Sequence, residues 1–181
     1  ARVVQHLREA GALPLAGVGT LEAQKLTHIL QTQLAAALRE RGAYPEAAER
    51  VLVEQAYPQM HPQVRLQDAL GGVLAGEGGQ MLLSLRANKL VSISKAGTAT
   101  ALPEKLIDMW LQSLVAAAMG YPLRCVVVGR NAVVRADPLD PEAARAQLQT
   151  LLATWVEGMR WPLPLPPGVA LQWLRDPENT N

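Results

Sequence analysis

The sequence predicts a mixed α/β domain in which a mixed sheet is flanked by helices. Apolar residues recur at helical spacing in three long stretches, they alternate with polar residues in several short ones, and Gly and Pro separate the two kinds of stretch. Apolar residues make up 49% of the 181 residues, aromatic residues only 4%, and Phe is absent. The core is therefore expected to consist mainly of Leu, Val and Ala, with Trp as a large filler.

Residues 1–42 are predicted to form a helical front part. A short amphipathic helix over residues 2–10 precedes a loop, and Thr20 is predicted to cap a second helix that reaches about Arg41. The repeat of large apolar residues predicts which face of this second helix is buried. Its members are Leu26, Ile29, Leu30, Leu34, Ala37 and Leu38.

Residues 43–160 are predicted to form the core of the domain, and this part begins with strands. Residues 50–54 are typical of a strand, and residues 64–74 continue in an extended, partly alternating pattern. The Gly-rich residues 76–79 predict a turn, because glycine tolerates positive φ angles. Residues 80–86 alternate well enough to return as the antiparallel partner, so a β-hairpin is expected.

Helices and two further strands complete the predicted core. A helix is expected from Pro103 to about Met119, then strands over residues 123–128 and 132–136, then a helix that starts after Asp140. The predicted buried faces of the two helices contain Leu106, Ile107, Trp110, Leu111, Leu114, Val115 and Ala118 in the first, and Leu148, Leu151, Leu152, Trp155, Val156 and Met159 in the second.

Residues 161–181 form a Pro-rich C-terminal part. The proline repeat predicts that residues 161–167 are extended and stiff. Either this segment and the face bearing Trp173 pack on a neighbouring protein, or they cover the core of the domain itself. All three parts are expected to belong to one structural domain, a fragment of a larger subunit.

The composition argues against several functional classes. A net charge of +1 gives no strong electrostatic footprint, so any role in binding nucleic acid is expected to be local or shared with partners. The single Cys125 excludes an internal disulfide and lies in an apolar run, which favours a buried thiol and a reducing compartment. No stretch has the roughly 18 apolar residues of a membrane span, and the first residues lack the apolar centre of a signal peptide. We therefore expect a cytoplasmic protein.

The usual signals of cofactor binding are missing from the sequence. His6, His28 and His61 are scattered, without a second His or Cys at ligand spacing, so no metal site is predicted. The glycines at 17 and 19 precede a helix but lack the Lys and hydroxyl that a phosphate loop needs. No cofactor and no small-molecule ligand are therefore expected.

One arrangement resembles a catalytic framework. Two strands followed by an amphipathic helix are typical of the PD-(D/E)XK nucleases, in which an Asp ends the first strand and an acid-x-Lys pair lies in the second, because carboxylates hold a divalent cation. In this chain the matching positions hold Leu74, Ser84 and Arg86, which cannot bind Mg²⁺ together. An active Mg²⁺-dependent nuclease that uses Asp68 or Glu77 instead is kept as an alternative.

The order of segments resembles the C-terminal, nuclease-like domain of RecC, the gamma subunit of exodeoxyribonuclease V in the RecBCD complex. The segments that carry this resemblance are residues 11–19, 70–86, 106–114, 138–144, 157–159 and 162–167. The resemblance implies a fold related to the PD-(D/E)XK nucleases with the catalytic residues absent. It also implies RecB-like and RecD-like subunits as partners, and a subunit that holds the complex together and guides separated DNA strands during double-strand break repair and recombination.

Four basic residues are the candidates for contact with a DNA backbone, since Lys and Arg neutralise phosphates. They are Arg65, Arg86, Lys89 and Lys95. Arg86 is of special interest because it keeps a cation where the nuclease pattern has Lys. A pure protein-docking module that never touches DNA is the third alternative, beside the non-catalytic DNA guide and the active nuclease.

Overall fold

In a computed structural model, which describes residues 2–14, 16–161, 170 and 174, a five-stranded mixed sheet lies between helices. The helices are α1 (Arg2–Glu9), α2 (Ala16–Gly42), α3 (Ile107–Ala118) and α4 (Pro141–Arg160), with a 3₁₀ turn at Pro103–Lys105. The strands are β1 (Glu46–Ala47), β2 (Val51–Tyr57), β3 (Val64–Leu70), β4 (Val73–Gly76), β5 (Gly79–Leu85), β6 (Val91–Ile93), β7 (Ala99–Ala101), β8 (Leu123–Val128) and β9 (Val133–Ala136).

The main sheet has the strand order β1-β4-β5-β8-β9, and two separate hairpins, β2–β3 and β6–β7, complete the described strands. Only the central pair of the main sheet, β5 and β8, is parallel, and its connection contains the β6–β7 hairpin and α3. The other neighbours in this sheet are antiparallel. The predicted mixed sheet flanked by helices is therefore confirmed, and it is consistent with a nuclease-like α/β fold.

The two faces of the sheet are covered by different elements. On one face, Met81 and Val126 pack with Ala37 of α2. On the other, Leu82 and Cys125 pack with residues of α3 and with the β2–β3 hairpin. Because side chains alternate along a strand, odd-numbered residues of β5 face α2 and even-numbered residues face α3. The helix α4 covers α3 and the tip of the β2–β3 hairpin from outside.

Several predicted elements are confirmed with close boundaries. The β4–β5 hairpin pairs Gly76 with Gly79 across a two-residue turn. The helix α4 starts at Pro141, where the Asp140 carboxylate accepts a hydrogen bond of 2.8 Å from the Ala143 N–H. Residues 64–74, predicted as one extended stretch, are divided into β3 and β4 at Gly71 and Gly72, and Gly72 has a φ of 76°.

The start of α2 was predicted wrongly. The helix begins at Ala16, and Thr20 lies inside it, with its hydroxyl donating a hydrogen bond of 3.4 Å to the Ala16 carbonyl. The reason is a close contact at Gly19, where a Cβ would come within 1.8 Å of the Pro14 carbonyl oxygen. Gly19 therefore lets the first turn of the helix approach the preceding segment, which the sequence pattern did not reveal.

The prediction of which helix faces are buried was also partly wrong. Large apolar residues that were expected in the core are exposed, while small residues such as Ala37, Ala116 and Ala117 face it. Small side chains allow a helix to approach a sheet closely, whereas periodicity alone marks the large residues beside them. The exposed members of the predicted faces are Leu26, Leu30, Leu34, Leu38, Ile107, Trp110, Leu111, Trp155 and Met159.

Candidate nucleic-acid interface

The three positions that would carry a nuclease site lie on two faces of the sheet. Leu74 pairs with Met81 in the β4–β5 register and packs with the cluster that contains Tyr44, on the α2 face. Ser84 follows Leu82 by two residues and so faces α3. The structure therefore does not bring Leu74 and Ser84 together, and the interior position at Leu74 is lined by hydrocarbon.

Arg86 lies directly after β5 and is held at three points. Its N–H donates to the Val128 carbonyl at 2.9 Å, and its carbonyl accepts a 2.8 Å hydrogen bond from Gln33 Nε2. The guanidinium donates to the Asp108 carboxylate at 2.7 Å. Sequence reasoning missed Asp108, although an acid in the first turn of the helix that follows a parallel strand is a signal that could have been used.

The loops that follow β5 and β8 are fastened to each other at the same edge of the sheet. Arg130 donates its N–H to the Asn88 carbonyl at 2.9 Å. The Asn131 side chain accepts from the Leu90 N–H at 3.0 Å and donates to the Val91 carbonyl at 2.8 Å. A Cβ at Gly129 would lie 2.3 Å from Leu90 Cγ, so only glycine permits this approach. The carboxyl edge, defined as residues 86–90 and 129–131, is therefore a fixed structure.

Two of the four predicted cationic contacts, Arg86 and Lys89, belong to this carboxyl edge, and Lys95 lies on the hairpin that leaves it. Lys89 is exposed within the edge itself. Lys95 lies in the turn of the β6–β7 hairpin, which leaves the edge after Leu90 and returns at Leu102, whose N–H donates to the Leu90 carbonyl at 2.9 Å. Arg86 and Lys89 therefore lie at the carboxyl end of β5, whereas Lys95 lies in the hairpin turn, five residues beyond Leu90.

Arg65 does not join them. It lies on β3, where its guanidinium is 3.6 Å from the Glu54 carboxylate on β2. Arg65 is one residue from Val64, which packs against Val156 near the end of α4, whereas the opposite end of the hairpin, at Leu70, packs in the cluster that contains Leu90. Five residues of strand, or roughly 17 Å, separate Arg65 from Leu70.

The acids of the alternative nuclease hypothesis are separated as well. Asp68 lies on the β2–β3 hairpin and accepts a hydrogen bond of 2.7 Å from the Ala69 N–H. Glu77 lies in the β4–β5 turn, at the end of β5 away from Arg86. Within residues 2–14, 16–161, 170 and 174, no group of three or more His, Cys, Asp or Glu side chains is placed to hold a metal ion.

Cys125 is confirmed as a buried thiol on β8, with 1% of its surface exposed. Burial raises the pKa of this thiol above its ordinary value. A neutral thiol in the core is a poor nucleophile. Cys125 therefore belongs to the packing of the sheet against α3.

A comparison with known families gives a match over nearly the whole chain. A family model described as the RecC C-terminal domain matches residues 1–177. The chain belongs to the RecC C-terminal domain family. Membership implies a part of the RecC subunit in the RecBCD complex, as the order of segments in the sequence predicted. A search of curated proteins finds no match.

Apolar side chains of this RecC-family domain are exposed on its helical side. Trp110 of α3 and Leu151 of α4 line a shallow groove with Ala146, Gln147 and Thr150. Further along the chain, Trp155 is 56% exposed, Met159 72% and Trp161 69%. Residues 162–167 and Trp173, which were predicted either to meet a neighbour or to cover the core, lie outside the described residues. In the described part of the chain, no helix has the length and apolarity needed to cross a membrane.

Proposed function

We propose that this domain is a non-catalytic, nuclease-like part of a RecC subunit. In this role it supports assembly with RecB-like and RecD-like subunits and guides separated DNA strands during double-strand break repair and recombination. The observation that carries the proposal is the family match over residues 1–177. Partner identity and strand guidance are what the family resemblance implies, and the geometry of the sheet supports the non-catalytic part.

Two features of the sheet support the absence of catalysis. Leu74 contributes a hydrocarbon side chain to the cluster around Tyr44 and Met81, where a nuclease of the PD-(D/E)XK type would present a carboxylate. Arg86 keeps a cation, but an exposed carboxylate, Asp108, is already bound to it. A divalent cation needs several oxygen ligands at one point, so these positions do not suit it.

The cations around the β-strands support contact with DNA. Arg65, Arg86, Lys89 and Lys95 are the residues that we propose for contact with phosphates, and each is at least partly accessible to solvent. Contacts of this kind position a nucleic acid without reading its sequence. We also propose that residues 1–42, 43–160 and 161–181 form one structural domain, which is supported by the packing of Ala37 against the central strands, and that the subunit is cytoplasmic.

A nuclease assay tests the non-catalytic part. The purified chain is incubated with linear duplex and with single-stranded DNA in the presence of Mg²⁺ or Mn²⁺, beside the variants Asp68→Ala and Glu77→Ala. We expect no cleavage above the level of a buffer control. Cleavage by the wild-type chain that Asp68→Ala or Glu77→Ala abolishes would contradict the proposal and favour the metal-dependent nuclease.

A pure docking module is the second candidate, and it is favoured by the exposed Trp110, Trp155, Met159 and Trp161. Large aromatic and Met side chains are enriched in the centres of protein interfaces. The dependence of DNA binding on salt distinguishes the candidates, because each neutralised phosphate releases counterions. A steep fall in affinity with salt supports contact with DNA, and a negligible, flat response supports docking alone.

A further inference from the structure

Three cationic side chains start from two adjacent segments of backbone. The strands β5 and β8 are parallel neighbours, so their carboxyl ends lie side by side. Arg86 follows β5, Arg130 follows β8, and backbone hydrogen bonds of 2.9 Å join Arg86 to Val128 and Arg130 to Asn88. Lys89 follows Asn88 directly. The region outside the carboxyl ends of parallel strands is where open α/β sheets bind their ligands.

The backbone that carries these cations is held in place by hydrogen bonds and packing, as a binding site of constant geometry requires. The two hydrogen bonds of the Asn131 side chain hold residues 90 and 91 against the β8–β9 turn. The absence of a Cβ at Gly129 lets Leu90 pack directly on that turn. Neither Asn131 nor Gly129 needs to contact a ligand, so both are positioning residues for the carboxyl edge.

The three cations at this edge differ in whether an acidic side chain forms an ion pair with them. In the part of the chain that the structure describes, Lys89 and Arg130 form no ion pair, whereas Arg86 is bound to Asp108. The Asp108 side chain is 64% exposed and that of Arg86 40%. An exposed ion pair is weak because water screens it. A phosphate, which accepts charge-assisted hydrogen bonds from Arg, can therefore replace Asp108 at Arg86.

We propose that Arg86, Lys89 and Arg130 form one phosphate-binding edge for a DNA backbone, and that Asp108 is the counter-ion which phosphate displaces from Arg86. This inference rests on the proposed function, because it takes contact between the domain and DNA as given. It deepens that function by grouping the contacts at one edge of the sheet, by adding Arg130, and by placing Arg65 outside the edge.

The test measures the affinity of the full chain for a labelled single-stranded DNA at a series of salt concentrations. Arg130→Ala and Lys89→Ala are compared with the control variant Arg41→Ala. Arg41 is an exposed cation near the other end of β5, since Ala43 and Tyr44 adjoin the β4–β5 turn. Affinity falls as the salt concentration rises. We expect the magnitude of the slope of log K against log salt to be smaller by about 0.7 for each edge variant and unchanged for Arg41→Ala. Circular dichroism and thermal midpoints confirm that each variant is folded.

The counter-ion role is tested by a double-mutant cycle. Asp108→Asn frees Arg86 for phosphate, so it should tighten the binding of DNA at low salt. It should also increase the magnitude of the slope of log K against log salt by about 0.7. In an Arg86→Ala background, the same substitution should have no effect, because the coupling acts through the guanidinium. A gain that persists without Arg86 would show a general effect of removing negative charge and would overturn the role of Asp108.

The outcomes separate this inference from the function on which it rests. Equal losses for Arg41→Ala and Arg130→Ala would overturn the edge, because binding would then follow net charge alone, while contact with DNA would stand. Salt-dependent binding that is unchanged in both Arg130→Ala and Lys89→Ala would also overturn the edge and leave contact with DNA standing. A wild-type chain without salt-dependent binding would overturn both the edge and the DNA part of the proposed function.

Discussion

The two ends of β5 have opposite physical characters. Near its amino end, Met81 is fully buried and packs with Tyr44 and Leu74, so that this end is held by hydrocarbon contacts. At the carboxyl end, Arg86 is partly exposed and is held by hydrogen bonds to Gln33, Val128 and Asp108. One strand is thus held by hydrocarbon contacts at one end and by hydrogen bonds at the other, so substitutions at the two ends are expected to differ in their cost to stability.

The largest effect is expected at the hydrocarbon end. Met81→Ala removes a side chain with 0% exposure, and the resulting cavity should lower the free energy of unfolding by about 2–5 kcal/mol. Met159→Ala is the matched control, since Met159 is 72% exposed and a surface substitution changes stability by no more than about 0.5 kcal/mol. Urea unfolding followed by circular dichroism measures both. Similar losses for the two variants would remove the contrast on which the comparison depends.

A smaller loss is expected at the carboxyl end. Asn131→Ala removes both side-chain hydrogen bonds and leaves the N–H of the buried Leu90 without its acceptor, which should cost about 1–3 kcal/mol. Asn88→Ala is the control, because Asn88 is exposed and contacts Arg130 through its backbone carbonyl alone. Urea unfolding again gives the stabilities. If both Asn variants are as stable as the wild type, the two loops are not fastened by Asn131.

The smallest effect is a dependence of the free energy of unfolding on pH, and it tests the burial of the Cys125 thiol in the core. The pKa of Cys125 is raised chiefly by burial, so its stabilising contribution is fully present below the ordinary thiol pKa and is lost as pH rises through the folded value. Between about pH 9 and about pH 10, the free energy of unfolding should fall by up to about 1.4 kcal/mol.

The control for this pH effect is Cys125→Ala, whose stability should vary less over the same range. Tyr57 also has a pKa raised by burial, and its contribution is lost only at pH above the ordinary value of 10.0. Stability should therefore be compared below that value. An equal pH dependence in the wild type and in Cys125→Ala would show that the thiol is not the group that titrates.

Local signals predicted much of the fold. Glycines at 76, 78 and 79 predicted the β4–β5 hairpin, and Asp140 before Pro141 predicted the start of α4, because each signal acts through the backbone of its own neighbours. The short strands β1, β6 and β7 were missed. Each has only two or three residues, which is too short for an alternating pattern to be recognised.

The candidate site was only partly predictable. Arg86, Lys89 and Lys95 were identified from their charge and from their place after the hairpin. Arg130 and Asp108 were not, because they come from segments that approach Arg86 only when β8 pairs with β5 and α3 crosses between them. The separation of Arg65 from the carboxyl edge has the same origin, since β2 and β3 form a hairpin of their own.

The amino-acid sequence alone was enough to predict the class of the fold, the β4–β5 hairpin, most of the helices and the likeness to the RecC family, because these depend on local periodicity, turn residues and the order of segments. Three features became clear from the folded chain: which helix faces are buried, on which face of the sheet Leu74 and Ser84 lie, and which charges meet at the carboxyl ends of β5 and β8. Those features depend on contacts between residues far apart in the chain, and such contacts are fixed by strand pairing and by close packing of small side chains against the sheet.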